Sequence, residues 1–212
     1  MPKIWPLLYQ GLDEYLLGVT PERELVLKEM EALAKEKDFP IIGPLTGRFL
    51  YQLAHLIKAR RILELGSGYG YSAFWFARAI GARGKIFCTE GDEKNARRAR
   101  DFFKKGKIKT RIEYRIGDAL KLAAKLPGKF DIILNDIDKW EYPAVVPFAE
   151  KRLKRGGVLV TDNLLWSAQV LDEAPDKDTA GIIEFTKKLY ANKNFFTTIL
   201  PVRDGISVSV RL

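Results

Sequence analysis

The chain of 212 residues has a single cysteine, Cys88, so no disulfide can close within it and it lacks the thiols of a cysteine-built zinc site. No stretch reaches the roughly 18 uninterrupted apolar residues that a membrane span needs, and no membrane is expected as a partner. The opening MPKIWPLLYQGLDEY is too short in its apolar part and too acidic for a signal peptide, so a cytoplasmic protein is expected. Internal repeats and low-complexity tracts are absent. Glutamine occurs only at Gln10, Gln52 and Gln169, while lysine and glutamate abound. That balance fits the surface of a thermophilic protein, and it offers one reading of the net charge of +9. The other reading is a polyanionic partner such as RNA.

A hydrophobic content of 47% with 30% charged residues is that of a globular chain, and one domain is the default at this length. Residues 1–58 read as a helical cap and 59–212 as an α/β core. In the cap, Trp5–Leu17 suggests a short helix. Thr20-Pro21 suggests the N-cap and first position of a second helix, with Val26, Met30, Leu33 and Ala34 on its apolar face. A third begins after Gly43-Pro44.

From Arg61 the pattern alternates. Strands are expected at Arg61–Leu65, Lys85–Thr89, Arg111–Arg115, Phe130–Leu134 and Val158–Thr161. Helices are expected at Tyr71–Ile80, Asp92–Lys105, Ala119–Ala124, Tyr142–Leu153 and Thr179–Tyr190. Gly156-Gly157 reads as the stop of the fourth of these helices. Two closing strands, Phe195–Leu200 and Ile206–Arg211, lie close enough in sequence to pair antiparallel. Alternation of this kind implies a mostly parallel sheet with helices on both faces, and ligands bind such sheets at the carboxyl ends of the strands.

The residues just past each strand are therefore the informative ones. After the first come Gly66, Gly68 and Gly70, spaced to let a nucleotide-like ligand approach the backbone at a helix N-terminus. After the second comes Glu90, which can accept from ribose hydroxyls. After the third comes Gly117-Asp118-Ala119, where Asp118 can border a base, cap the next helix, or do both. After the fourth comes Asn135-Asp136-Ile137-Asp138-Lys139-Trp140, and after the fifth Asp162-Asn163. Two carboxylates and an amide oxygen, Asp136, Asp162 and Asn163, suit a hard divalent cation such as Mg²⁺. Lys139 beside them is either a general base or a salt-bridge partner of Asp138. Trp140 and Trp166 flank the acids and can stack on a flat substrate or pack in the core.

Taken together, LELGSGYGYS, TEGDE, GDA, NDIDKWEY, TDNLLW and PVRDGISVSV resemble the cation-dependent O-methyltransferases, the group of the catechol and caffeoyl-CoA enzymes. The resemblance runs from about residue 40 to the end. It implies a class I methyltransferase, Rossmann-like fold with a seven-stranded sheet of order 3-2-1-4-5-7-6, and S-adenosylmethionine as cofactor. By matching position, Glu64 and Gly66 would hold the methionine end and Ser72 its carboxylate. Glu90 would take the ribose, Asp118 and Ala119 would border the adenine, and Ile42 would touch the cofactor from the cap. Asp136, Asp162 and Asn163 would bind Mg²⁺, Asp136 bordering the cofactor as well, and Lys139 would be the base. A homodimer is the common assembly.

The sequence departs from the pattern at Asn135, at Arg203 in PVRDG, and in its short cap. The activity implied is Mg²⁺-assisted methyl transfer to a small catechol-like substrate. A second version makes the acceptor a hydroxylated wobble uridine in tRNA, with KKGKIKTR (104–111) and Arg97, Arg98 and Arg100 holding phosphates. A third is a non-catalytic S-adenosylmethionine-binding protein.

Overall fold

The structure, a computed structural model, describes residues 11–212. The Trp5–Gln10 part of the expected first helix lies outside them. Three cap helices come first: α1 (Leu12–Val19), α2 (Leu25–Lys37) and α3 (Gly43–Leu56). Thr20 does not open α2. It closes α1, with its hydroxyl donating to the Leu17 carbonyl at 2.9 Å, and α2 begins four residues after Pro21. The Thr-Pro pair ends one helix where the sequence pattern suggested that it begins another. On α2, Val26, Met30 and Ala34 are buried.

The core then alternates through β1 (Arg61–Leu65), α4 (Tyr71–Ile80), β2 (Lys85–Glu90), α5 (Glu93–Lys105), β3 (Arg111–Ile116), α6 (Ala119–Ala124), β4 (Phe130–Asn135), α7 (Tyr142–Arg152), β5 (Leu153–Thr161), α8 (Lys177–Ala191), β6 (Phe195–Leu200) and β7 (Ile206–Arg211). The sheet order is β3-β2-β1-β4-β5-β7-β6, as expected, with β7 antiparallel to both β5 and β6. The Gly156-Gly157 pair lies inside β5, which begins directly after α7. Gly156, at φ 74°, sits in a stretch where the β4–β5 register shifts. The glycines bend a strand that has already begun.

Two apolar layers arise from the two-residue period of the strands. Ile62, Ile86, Leu134, Val160 and Ile206 face α2–α5, against Met30, Leu50, Phe74 and Phe103. Leu63, Leu65, Phe87, Ile133 and Leu159 face α6–α8, against Tyr142, Val146, Ile182 and Phe185. With both faces covered, only the strand ends are open to a ligand.

Candidate active site

The carboxyl ends of five parallel strands are drawn into one row by hydrogen bonds that continue past the strands themselves. The Asp136 N–H donates to the Leu65 carbonyl at 2.9 Å, and the Asp162 N–H donates to that of Asn135 at 3.3 Å. The Ser67 N–H donates to the Thr89 carbonyl and the Gly117 N–H to that of Glu90, both at 2.9 Å. Residues far apart in sequence thus share one cavity of about 660 Å³. Its wall includes Ile42, Gly66, Ser72, Glu90, Asp118, Ala119, Asp136, Lys139, Asp162 and Asn163.

The glycine loop closes against the β4 end. Gly66 has φ 77°, and a Cβ there would lie 2.3 Å from the Asp136 carbonyl oxygen. Only glycine permits that approach. The Gly68 N–H donates to Glu90 Oε2 at 2.8 Å, while Glu90 Oε1 accepts from the Asp92 N–H and the Asn95 amide. Glu90 therefore fixes the loop it faces. Asp118 does cap α6, accepting from the Lys121 N–H at 2.9 Å, and that bond holds its carboxyl below the usual range. Ile42 is the buried residue preceding α3, and Ser72 is buried in the first turn of α4.

Glu64 is the exception among the residues expected to hold the cofactor or the metal. It is fully buried beneath the loop and does not line the cavity. Alternation along β1 turns it toward α4, where the Cys88 thiol donates to its Oε2 at 3.7 Å and its Oε1 has no partner among the described residues. Burial pushes its carboxyl up to about 7, only partly offset by the Ser67, Ser72 and Cys88 side chains.

At the other end of the cavity Lys139 is paired with Asp136, not with Asp138. Its Nζ donates to Asp136 Oδ1 at 2.8 Å and to the Ile137 carbonyl at 3.4 Å. The rings of Tyr142 and Trp166 lie 5.1 and 5.7 Å from Nζ. The Tyr142 hydroxyl donates to the Asp162 carbonyl at 3.1 Å, and Asn163 takes a left-handed φ of 62°. Asp162 is 4% exposed, and its Oδ1 has no hydrogen-bond partner among the described residues. Burial, then the neighbouring Asp136 charge, push its carboxyl up to about 7. Asp136 is raised too, by burial, against the pull of Lys139.

Two carboxylates forced together, one with an orphaned buried oxygen, form an electrostatic fault that a divalent cation would relieve. Among the described residues no three His, Cys, Asp or Glu side chains form a closed metal cage. The donor set is two acids and an amide, which leaves positions open for other oxygens.

The tryptophans divide. Trp166 lines the cavity, whereas Trp140 is exposed on the outer side with Lys177 Nζ 3.8 Å from its ring centre. Composition and pattern gave no role to Ser67, whose buried Oγ has no partner among the described residues and which borders the cavity, nor to Arg203. Ser67 stood within the glycine loop, and Arg203 was visible only as a departure in PVRDG.

A family model described as O-methyltransferase matches residues 19–212. A catechol O-methyltransferase of Niastella koreensis is 32% identical over 96% of this chain and 97% of its own. Caffeoyl-CoA O-methyltransferase 1 of Eucalyptus globulus is 29% identical, with 97% and 88% covered. Among solved structures, an O-methyltransferase from Bacillus cereus in complex with SAH superposes with a TM-score of 0.86 at 29% identity, covering 95% of this chain and 97% of that one. With likeness this extensive in both sequence and fold, the chain belongs to the O-methyltransferase family.

Proposed function

We propose that the enzyme transfers a methyl group from S-adenosylmethionine to one hydroxyl of a small aromatic acceptor with two neighbouring oxygens, assisted by Mg²⁺. The observation that carries this is the sharing of one cavity wall by Glu90 and the glycine loop at one end and by Asp136, Lys139, Asp162 and Asn163 at the other. S-adenosylmethionine, when bound, supplies the methyl group on its sulfonium. A divalent cation held by Asp136, Asp162 and Asn163 supplies polarisation of the acceptor oxygens and lowers the pKa of the hydroxyl.

The chain's own residues do the rest. Gly68 and Glu90 hold the loop, and Glu90 presents its carboxylate where a ribose would lie. Lys139 takes or relays the hydroxyl proton at Nζ, which Asp136 and the Ile137 carbonyl keep in place. Trp166 walls the acceptor position. The protein's main contribution is alignment of acceptor oxygen and methyl carbon.

The tRNA version has less support. The basic run 104–111 lies at the C-terminal end of α5 and the start of β3, the edge opposite the cavity. A six-residue strand sets the two edges about 20 Å apart. The homodimer expected from the resemblance stands as a proposal as well, tested by light scattering against a chain mass of 24.1 kDa.

The test is a methyl-transfer screen of catechols, flavonoids, hydroxycinnamoyl thioesters and tRNA, with Mg²⁺ and with EDTA. Activity on a vicinally oxygenated acceptor, lost in EDTA and in Asp136→Ala, is the expected result. Full activity of Asp136→Ala in EDTA refutes the metal assignment, and methylation of tRNA alone refutes the acceptor.

A further inference from the structure

Arg203 borders the site but has no part in the mechanism above. It stands in the turn between β6 and β7 with a left-handed φ of 50° and an exposed side chain. Its Nη1 donates to the Ile41 carbonyl at 2.7 Å. The side chain lies along Gly43, where a Cβ would meet Nε and Nη1 at 3.4 Å and Cδ at 3.5 Å. One edge of the guanidinium thus pins the cap segment. Its other edge, Nε and Nη2, makes no hydrogen bond among the described residues. That is the edge whose two parallel N–H groups match a carboxylate.

Arg203 stands where two cavities meet. A second cavity, of about 720 Å³, opens beside the first, and Arg203 and Asn163 belong to the walls of both. Leu45 and Phe49 of α3, Leu12 and Leu16 of α1, and Val202 supply its apolar surface. Within this second cavity the acids compete little for Arg203, whose charge also acts on the Asp136 and Asp162 carboxyls of the first. The Asp204 carboxylate already accepts from the Ser167 N–H at 2.6 Å and the Asn163 amide at 3.3 Å, and Asp13 is exposed on α1. An acceptor with its oxygens at Asn163 would extend its far side past Arg203 into this apolar space.

We propose that Arg203 determines specificity by pairing with a carboxylate on the acceptor, so that the preferred substrates are aromatic vicinal diols bearing an anionic carboxyl substituent. This rests on the acceptor reading given above. The apolar wall receives the ring or a short chain, and the free guanidinium edge receives the carboxylate. Neither feature alone selects this class; a neutral catechol satisfies the wall but leaves the Nε–Nη2 edge facing water.

The test compares 3,4-dihydroxybenzoate with neutral 4-methylcatechol as acceptors for the wild type, Arg203→Met and Arg203→Lys, all with Mg²⁺ and saturating S-adenosylmethionine. The expected result is a fall in the ratio of kcat/KM, acid over neutral, of about fivefold or more in Arg203→Met, the size of one partly exposed charge pair. The fall is carried by KM, and Arg203→Lys retains part of the preference. An unchanged ratio in Arg203→Met, or a ratio altered through kcat alone, overturns the proposal. Failure of the wild type to methylate either diol is a different outcome: it removes the acceptor reading and this proposal with it.

Discussion

Replacing Glu64 with glutamine should make the ligand-free protein more stable in neutral and alkaline solution. Glu64 is fully buried on β1, with one oxygen unpartnered among the described residues and the other accepting from a thiol, and the nearby Ser67 and Ser72 side chains offset that burial only in part. Its carboxyl is raised from 4.5 to about 7, so the folded state holds a proton that the unfolded chain releases. The contribution to stability is complete below pH 4.5 and is lost as pH rises through about 7. Above that, ionised Glu64 costs the folded state about 3 kcal/mol relative to a neutral side chain of the same shape. Urea unfolding of the wild type and Glu64→Gln from pH 4 to pH 8.5 reads this directly. The two curves should nearly coincide at the acid end, and the variant should gain about 3 kcal/mol by the alkaline end. For a chain of this size that gain corresponds to a Tm higher by roughly 6–12 °C. The amide introduced by Glu64→Gln gains a nearby acceptor in the unpartnered Ser67 hydroxyl. A stability difference independent of pH, or one that favours the wild type at high pH, refutes the reasoning.

Two further substitutions probe the support of the site. Glu90→Ala removes the acceptor for the Gly68, Asp92 and Asn95 donors and should weaken S-adenosylmethionine binding at least tenfold, about 1.4 kcal/mol, by calorimetry; an unchanged Kd refutes the assignment. Gly181 on α8 packs so tightly beneath Lys139 that a Cβ there would lie 2.4 Å from the Lys139 carbonyl and 2.7 Å from Trp140 Cα. Gly181→Ala should cost about 1–3 kcal/mol of stability through overpacking and lower kcat more than it raises the KM for S-adenosylmethionine, as seen in steady-state rates.

Much of this was legible from residue order. In a parallel sheet the ligand end of each strand is fixed by topology, so the residues after each strand can be collected from their order alone. Local signals are ambiguous where two roles share one pattern. Thr20-Pro21 fits a helix start and a helix stop equally, and only the packing of α1 on α3 and α2 on α5 selects between them. Gly156-Gly157 carried the same ambiguity between a helix end and a bent strand. Lys139 follows two acids in sequence, Asp136 and Asp138, and the turn after β4 directs it to Asp136.

What the sequence alone determined is the chemistry available at one edge of the sheet: glycines, Glu90, Asp118, the two acids with Asn163, and Lys139, each placed by the strand it comes after. What only the tertiary structure decided is which of these groups face one another. Glu64 is separated from the cavity by the two-residue period of β1, which turns it into the layer beneath. Asp136 and Asp162 become a strained pair because β4 and β5 remain hydrogen-bonded to their last residue. Arg203 joins the site from 40 residues beyond Asn163 because β7 runs antiparallel to β5 and returns its turn to the same edge. Residue order sets what each loop can do, but burial and pairing across strands set the charge, partners and reach of every group in it.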